Sequence, residues 1–170
     1  MKSLIKKIIR KIISLMFTVL GRFNTGQFIV EEFIDVIIKR TKSIEHEGIK
    51  LVLSTPNGLT RYRVDSFSTK EPETLDWLDG IPENSVLWDI GANVGLYTCY
   101  AAKKSNCRVF AFEPSVFNLE VLARNIHLNG LSDLVTIIPF PLSSELSINK
   151  LNMTSTSWGG NEYFWRELWA

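Results

Sequence analysis

The stretch VLWDIGANVGLYTCY, residues 86–100, decides the fold. Val86 to Ile90 is an apolar strand-like run. Gly91 and Gly95 follow at the point where a strand would turn into a helix. Leu96, Tyr97, Tyr100 and Ala101 then recur at helical spacing, and Lys103 and Lys104 close the pattern. The predicted crossover helix therefore starts near Asn93. Working outward, the alternation repeats. Arg108 to Phe112 reads as a second strand, and Val116, Leu119, Leu122, Ala123 and Ile126 mark a second helix, capped by Ser115 and stopped at Asn129-Gly130. Leu134 to Ile138 reads as a third strand. Alternating apolar strands and amphipathic helices are the mark of a parallel sheet built from βαβ units, so the fold class is α/β.

Glycines at a strand-to-helix turn let the chain bend sharply and let a ligand approach the backbone, and the amides of a helix start can receive a carboxylate. Asp89 narrows the choice of ligand. It ends the first strand and aims a negative charge at the same cleft. A pyrophosphate ~4 Å away would be repelled by a few kcal/mol at an effective dielectric of 20, whereas a sulfonium or an α-amino group would be attracted. The spacing G-x-N-x-G also differs from the G-x-G-x-x-G of a dinucleotide site. S-adenosyl-L-methionine is therefore expected in preference to NAD. Asn93 adds an amide able to reach the methionyl end or fix the loop. Glu113 ends the second strand 22 residues after Gly91, where an acidic side chain accepts hydrogen bonds from ribose hydroxyls, and Pro114 then breaks that strand.

These segments resemble the FkbM-type methyltransferases. The resemblance lies in KEPETLDW (70–77), DIGANVGLY (89–97), AFEP (111–114) and NIHLN (125–129), and runs from about Ser68 to Leu151. It implies a Rossmann-like class I methyltransferase sheet preceded by N-terminal helices and a β-hairpin. It further implies methyl transfer from S-adenosylmethionine to an oxygen, often a hydroxyl of a sugar or secondary metabolite, without a metal. The expected cofactor-binding residues are Asp89, Gly91, Ala92, Asn93, Gly95, Glu113 and Pro114, with no catalytic base assigned. Asn118 matches a position that is often polar in the family. Proteins of this kind continue into a Lys-Ile-Asp-x-Glu-Gly-x-Glu strand, which has no counterpart after Ile138. The sheet is accordingly expected to be incomplete at the C-terminus, with a strand around Ser147 to Leu151 and an aromatic tail of Trp158, Tyr163, Phe164, Trp165 and Trp169. Competing readings are a non-catalytic methyltransferase-like protein, a membrane-surface adaptor, and a nucleotide-dependent oxidoreductase, which Asp89 disfavours.

The rest of the chain bounds partners. Residues 1–22 hold six of the 19 basic residues and none of the 18 acidic ones, so the remainder is net acidic and general nucleic-acid binding is not expected. Leu4 to Leu20 reads as a basic amphipathic helix, too short in its apolar run to cross a bilayer, and no small-x-small cleavage site follows it. Cytoplasmic localisation is expected, with peripheral membrane contact through residues 1–22 as one role for this helix and packing on the domain as the other. A second helix is expected over Phe28 to Lys39. A β-hairpin is read from Ile49–Leu53 and Leu59–Val64 around Pro56-Asn57-Gly58, followed by a short helix with a Ser68–Glu71 capping box and an end at Gly80. The segments thus divide as 1–40, 41–80 and 81–170. Cys99 and Cys107 read as reduced structural thiols, and His46 and His127 as structural or exposed.

Overall fold

A computed structural model describes residues 2–145, 150–153, 155–160 and 163–166. Two compact units divide the chain, residues 1–40 and 41–170. The first holds α1 (Lys2–Leu20) and α2 (Asn24–Ile38). The helices meet at Gly26, where a Cβ would stand 2.0 Å from the Leu20 carbonyl oxygen, and at the Phe17 and Phe33 rings, 5.7 Å apart. Among the described residues no helix is long and apolar enough to cross a membrane.

The second unit opens with β1 (Thr41–His46) and β2 (Ile49–Ser54), an antiparallel hairpin. The expected hairpin is displaced. Its turn is Glu47-Gly48, both at positive φ, and not Pro56-Asn57-Gly58. Leu59 to Val64 is no strand but part of α3 (Gly58–Asp65). The physical reason is a cap. The Asn57 side chain accepts from the Thr60 amide at 2.8 Å while the Thr60 hydroxyl faces the Asn57 amide, so the Pro-Asn-Gly signal starts a helix. Thr60 and Val64, four residues apart, face the core. The expected Ser68–Glu71 capping box is likewise absent. After the short α4 (Phe67–Lys70), α5 (Pro72–Asp79) begins with Pro72 in its first turn, which needs no amide partner there. Gly80 ends it, as read from the sequence.

The body is a three-stranded parallel sheet in the order β3 (Val86–Ile90), β4 (Arg108–Phe112), β5 (Val135–Ile138), connected by α6 (Leu96–Ser105) and α7 (Val116–Leu128). This is the Rossmann-like α/β arrangement expected. The first two strands fall at the expected residues. α6 begins three residues later than expected, because Asn93 and Gly95 both hold positive φ and keep the turn out of the helix. Ser115 precedes α7 without a side-chain cap. Leu87, Val109, Ala111 and Val135 on one sheet face share a core with Tyr100, Leu122 and Ile126 of the two helices. Farther on, β6 (Lys150–Met153) pairs antiparallel with β7 (Tyr163–Arg166). The expected strand at Ser147 to Leu151 thus begins at Lys150 among the described residues; residues 146–149 and Trp169 lie outside them.

Candidate functional site

The site is the crevice at the carboxyl ends of β3 and β4. Gly91 takes φ +84, a left-handed conformation that costs a side-chain-bearing residue energy, and nothing stands within 4 Å of where its Cβ would be. The Gly91 and Ala92 amides both donate to the Phe112 carbonyl, at 2.9 and 3.0 Å, which pins the turn to the end of β4. Gly95 is needed twice over. Its φ is +78, and a Cβ would sit 2.2 Å from Leu122 Cδ1 of α7. The turn therefore bends at glycines and, at Gly95, packs against the Leu122 side chain.

Asp89 lies half-buried beside that turn and accepts a short hydrogen bond from the Thr98 hydroxyl in the first turn of α6. Burial pushes its carboxyl above the usual carboxylate range, against the Thr98 bond, and the nearby negative Glu113 pushes in the same direction. Two carboxyl groups thus lie near one another at the strand ends, and their charge favours a cation over phosphate.

Glu113 is fully buried. Its Oε2 accepts from the Asn93 amide at 2.8 Å, and its Oε1 accepts from the Ser115 amide at 2.8 Å and from Asn118 Nδ2 at 3.4 Å. The carboxylate thus fastens the β3–α6 turn to the start of α7. Pro114 stands between Glu113 and Ser115, whose amide donates to Glu113.

A feature with no signal in the sequence stands beside this carboxylate. The Trp158–Gly160 segment forms a strap there, held through its backbone and by Trp158 Nε1, which donates to Glu120 at 2.9 Å. The Gly160 carbonyl accepts from Asn93 Nδ2 at 3.0 Å and Asn118 Nδ2 at 2.8 Å, and the Gly159 amide donates to Asn118 Oδ1 at 3.0 Å. Asn57 Nδ2 donates to the Trp158 carbonyl and Arg63 Nε to the Gly159 carbonyl, at 3.0 and 2.7 Å. Asn118, read from the sequence only as an often polar position, is fully buried and joins Glu113 to the strap. No local pattern links residue 118 to residue 159, so only the folded chain reveals the pair.

The structure also explains Asn125 and Asn129. Asn125 Oδ1 accepts from the Ser54 amide and its Nδ2 donates to the Val94 carbonyl, each at 2.7 Å. Asn129 exchanges two hydrogen bonds with the Val52 backbone, at 3.0 and 2.8 Å. These side chains tie β2 and the glycine turn to α7. Next to the site a shallow groove is lined by Arg63, Phe67, Lys70, Glu71, Leu96 and Tyr97. Burial, helped by Glu71, pushes the Tyr97 phenol up to about 12, so it remains a hydroxyl that donates to Glu71 at 3.3 Å. His46 packs edge-on against Tyr100 and Phe67, and His127 is exposed on α7. Cys99 and Cys107 are buried and unpaired by disulfide, and burial pushes the Cys99 thiol up to about 12. Among the described residues no cluster of His, Cys, Asp and Glu could hold a metal ion.

No family model matches the chain. It is 37% identical over 65 residues to the methyltransferase sdnD of Sordaria araneosa, covering 38% of this chain and 25% of that protein. It is 42% identical over 48 residues to the hexuronic acid methyltransferase AglP of Haloferax volcanii, covering 28% and 19%. The chain therefore spans about a quarter or less of the length of these curated relatives. Among solved structures, TYW2 of M. jannaschii in complex with AdoMet aligns with 59% of this chain and 43% of its own, at 23% identity and a TM-score of 0.44. Precorrin-6y C5,15-methyltransferase of Geobacter metallireducens aligns with 40% and 35%, at 28% identity and a TM-score of 0.36. The chain is similar in sequence to methyltransferases over part of its length, and that likeness accompanies a Rossmann-like α/β sheet.

Proposed function

We propose that this chain carries the cofactor half of an S-adenosyl-L-methionine-dependent methyltransferase of the FkbM type, acting on a hydroxyl of a sugar or other small molecule. The observation that carries the reading is the Asp89 carboxylate beside the open Gly91 turn, one strand away from Glu113. Asp89 and the accessible backbone at Gly91 fit the methionyl end, where a sulfonium and an ammonium meet a negative charge. Bound there, the cofactor supplies an electrophilic methyl group. Ala92, Asn93 and Gly95 shape the turn that receives it.

Glu113 fits the ribose on a condition. Its carboxylate already accepts from the Asn93, Ser115 and Asn118 donors, among its partners. Because it is fully buried, a ribose hydroxyl meets it only when Gly159 and Gly160 move aside. Asn93 and Asn118 lose the Gly160 carbonyl in that movement and become donors for the incoming ligand. The acceptor is assigned to the groove beside Tyr97 and Glu71, which opens at the start of α6. Aromatic Phe67 and Tyr97 with charged Arg63 and Lys70 suit a polar ring-shaped molecule.

Titration calorimetry with S-adenosylmethionine, S-adenosylhomocysteine and NAD tests the reading. Binding of the first two without NAD is expected. Asp89→Ala is expected to weaken S-adenosylmethionine by about 1.5 to 3 kcal/mol, the range for a charge-assisted contact. Equal affinity for NAD, or an Asp89→Ala chain that binds S-adenosylmethionine as well as the parent, overturns it.

A further inference from the structure

α1 sorts its residues onto two halves of a cylinder. At about 100° per residue, Leu4, Ile8, Ile12, Leu15, Met16 and Val19 fall in one continuous arc, and Lys6, Lys7, Arg10 and Lys11 fall in the opposite one with Ser14 and Thr18. The helix is about 28 Å long, and its apolar arc runs its full length without a polar break. That arc is uncovered: Leu4 is 63%, Ile12 61% and Leu15 66% exposed. Contact with α2 runs instead through Phe17, which falls on the polar side of the arc and meets Phe33, and through the Leu20 backbone at Gly26. The helix is too charged to span a membrane, because its four central basic residues interrupt any long apolar window. It holds no acidic residue.

We infer that α1 lies in the headgroup layer of an anionic phospholipid bilayer, with the Ile8–Ile12 face among the acyl chains and its basic residues toward lipid phosphate. Lys6 and Lys11 sit at the two edges of the polar arc, where long stems pass beside the apolar face while their ammonium groups remain at the headgroups. Basic charge on both flanks of a wide aliphatic stripe suits a flat negative surface, whereas a groove on an acidic protein would meet charge on one side. α2 carries a different load. Its Phe28 stands among Glu31, Glu32 and Asp35, which such a surface repels, so α1 provides the contact. The surface keeps the protein beside its membrane without spanning it.

Co-sedimentation of the full chain with vesicles tests this without reference to cofactor binding. Binding is expected to phosphatidylcholine vesicles containing phosphatidylserine and not to phosphatidylcholine alone, and it should weaken several-fold as salt rises from 0.1 to 0.5 M. Ile8→Glu with Ile12→Glu, and separately Lys6→Glu with Lys11→Glu, should each lower the affinity at least tenfold, since each basic residue near such a surface is worth about fivefold. Circular dichroism confirms that the variants keep their helices. No binding to anionic vesicles overturns the inference, as does equal, salt-insensitive binding to both vesicle types. Lipid-free dimers that Ile8→Glu with Ile12→Glu dissolves, with no vesicle binding by the parent, would assign the face to a second copy instead and also overturn it.

Discussion

The two faces of the central sheet differ sharply in burial. Leu87, Val109 and Val135 stand in register across β3, β4 and β5, and all three are buried under α6 and α7. Their immediate neighbours Val86, Trp88 and Ile90 point the opposite way, and each is about 60% exposed. Successive side chains of a strand alternate between faces, and both crossover helices pass on the same side of the sheet because such connections are right-handed. A strand with apolar side chains on both faces suits a sheet covered on both sides. Among the described residues one layer is present, and β3 has β4 as its sole neighbour. The covered face therefore holds the fold and positions the site, while the open one contributes little to either. Substitutions on the two sides should separate accordingly.

The largest effect is expected where the glycine turn enters the covered layer. Gly95→Val adds a β-branched side chain at φ +78 and brings its Cβ onto the Leu122 Cδ1 methyl, so the Leu122 side chain, the turn or α7 must shift. A loss of about 3 to 5 kcal/mol is expected from backbone strain and overpacking together. Urea denaturation at equilibrium measures it, and a loss below 1 kcal/mol would show that Leu122 yields easily. Asn125→Ala comes next. It leaves the Ser54 amide and the Val94 carbonyl without partners under the same layer, at a cost of about 2 to 4 kcal/mol. Thermal unfolding should show it clearly, and an unchanged midpoint would mean that water replaces both bonds.

The two carboxyl groups at the rim of the covered face divide in sign. Glu113→Gln replaces one acceptor oxygen by an amide that faces a backbone N–H, and should destabilise by about 1 to 3 kcal/mol. Asp89→Asn should do the opposite. The folded carboxyl of Asp89 is held above its unfolded range, so folding favours the protonated form. Its penalty is absent at pH below the unfolded carboxylate range, develops as pH rises above that range, and is complete only once pH passes the raised folded value. The amide has no such penalty, so Asp89→Asn should be the more stable chain near pH 7 and should lose that advantage in acid. Parent and variant melts across that range test the sign. A parent that is more stable at pH 7 would remove the buried charge from the account.

Much of this architecture is legible in the residues themselves. β3 and β4 are apolar apart from Asp89 and Arg108, and both occupy the expected positions ahead of Gly91 and Pro114. The hairpin is misplaced for a local reason. Pro56-Asn57-Gly58 carries strong turn chemistry, but Asn57 serves equally well as a helix cap, and the choice lies with Thr60 and Val64, whose spacing of four faces a core that is not visible in the sequence. The positions of Asp89, Gly91, Gly95 and Glu113 follow from their strand ends. The strap beside Glu113 does not, because the Asn118 side-chain amide meets the Gly159 N–H and the Gly160 carbonyl, 41 and 42 residues further along the chain. Long-range polar contacts of that kind leave no periodicity.

The smallest effect is expected on the open face, at Trp88. Its ring is 5.5 Å from that of Phe112 and 59% exposed, so Trp88→Ser gives up one aromatic contact and part of one side chain's burial. A loss of about 0.5 to 1.5 kcal/mol is expected, the range for an aromatic pair. Leu87→Ala, one residue away, should cost about 2 to 5 kcal/mol, because it opens a cavity between the sheet and its helices. A bulky aromatic thus matters less than an adjacent leucine, against the order that side-chain size alone would give. The open face should act between molecules instead. Val86, Trp88 and Ile90 form an apolar strip along a strand whose outer backbone has no strand partner among the described residues, and such an edge invites association. Trp88→Ser should therefore shift light scattering toward smaller species at equal concentration while the melting temperature moves by only a few degrees. If Trp88→Ser destabilises as much as Leu87→Ala and leaves the scattering unchanged, this face is covered in solution and the contrast between the two sides of the sheet is lost.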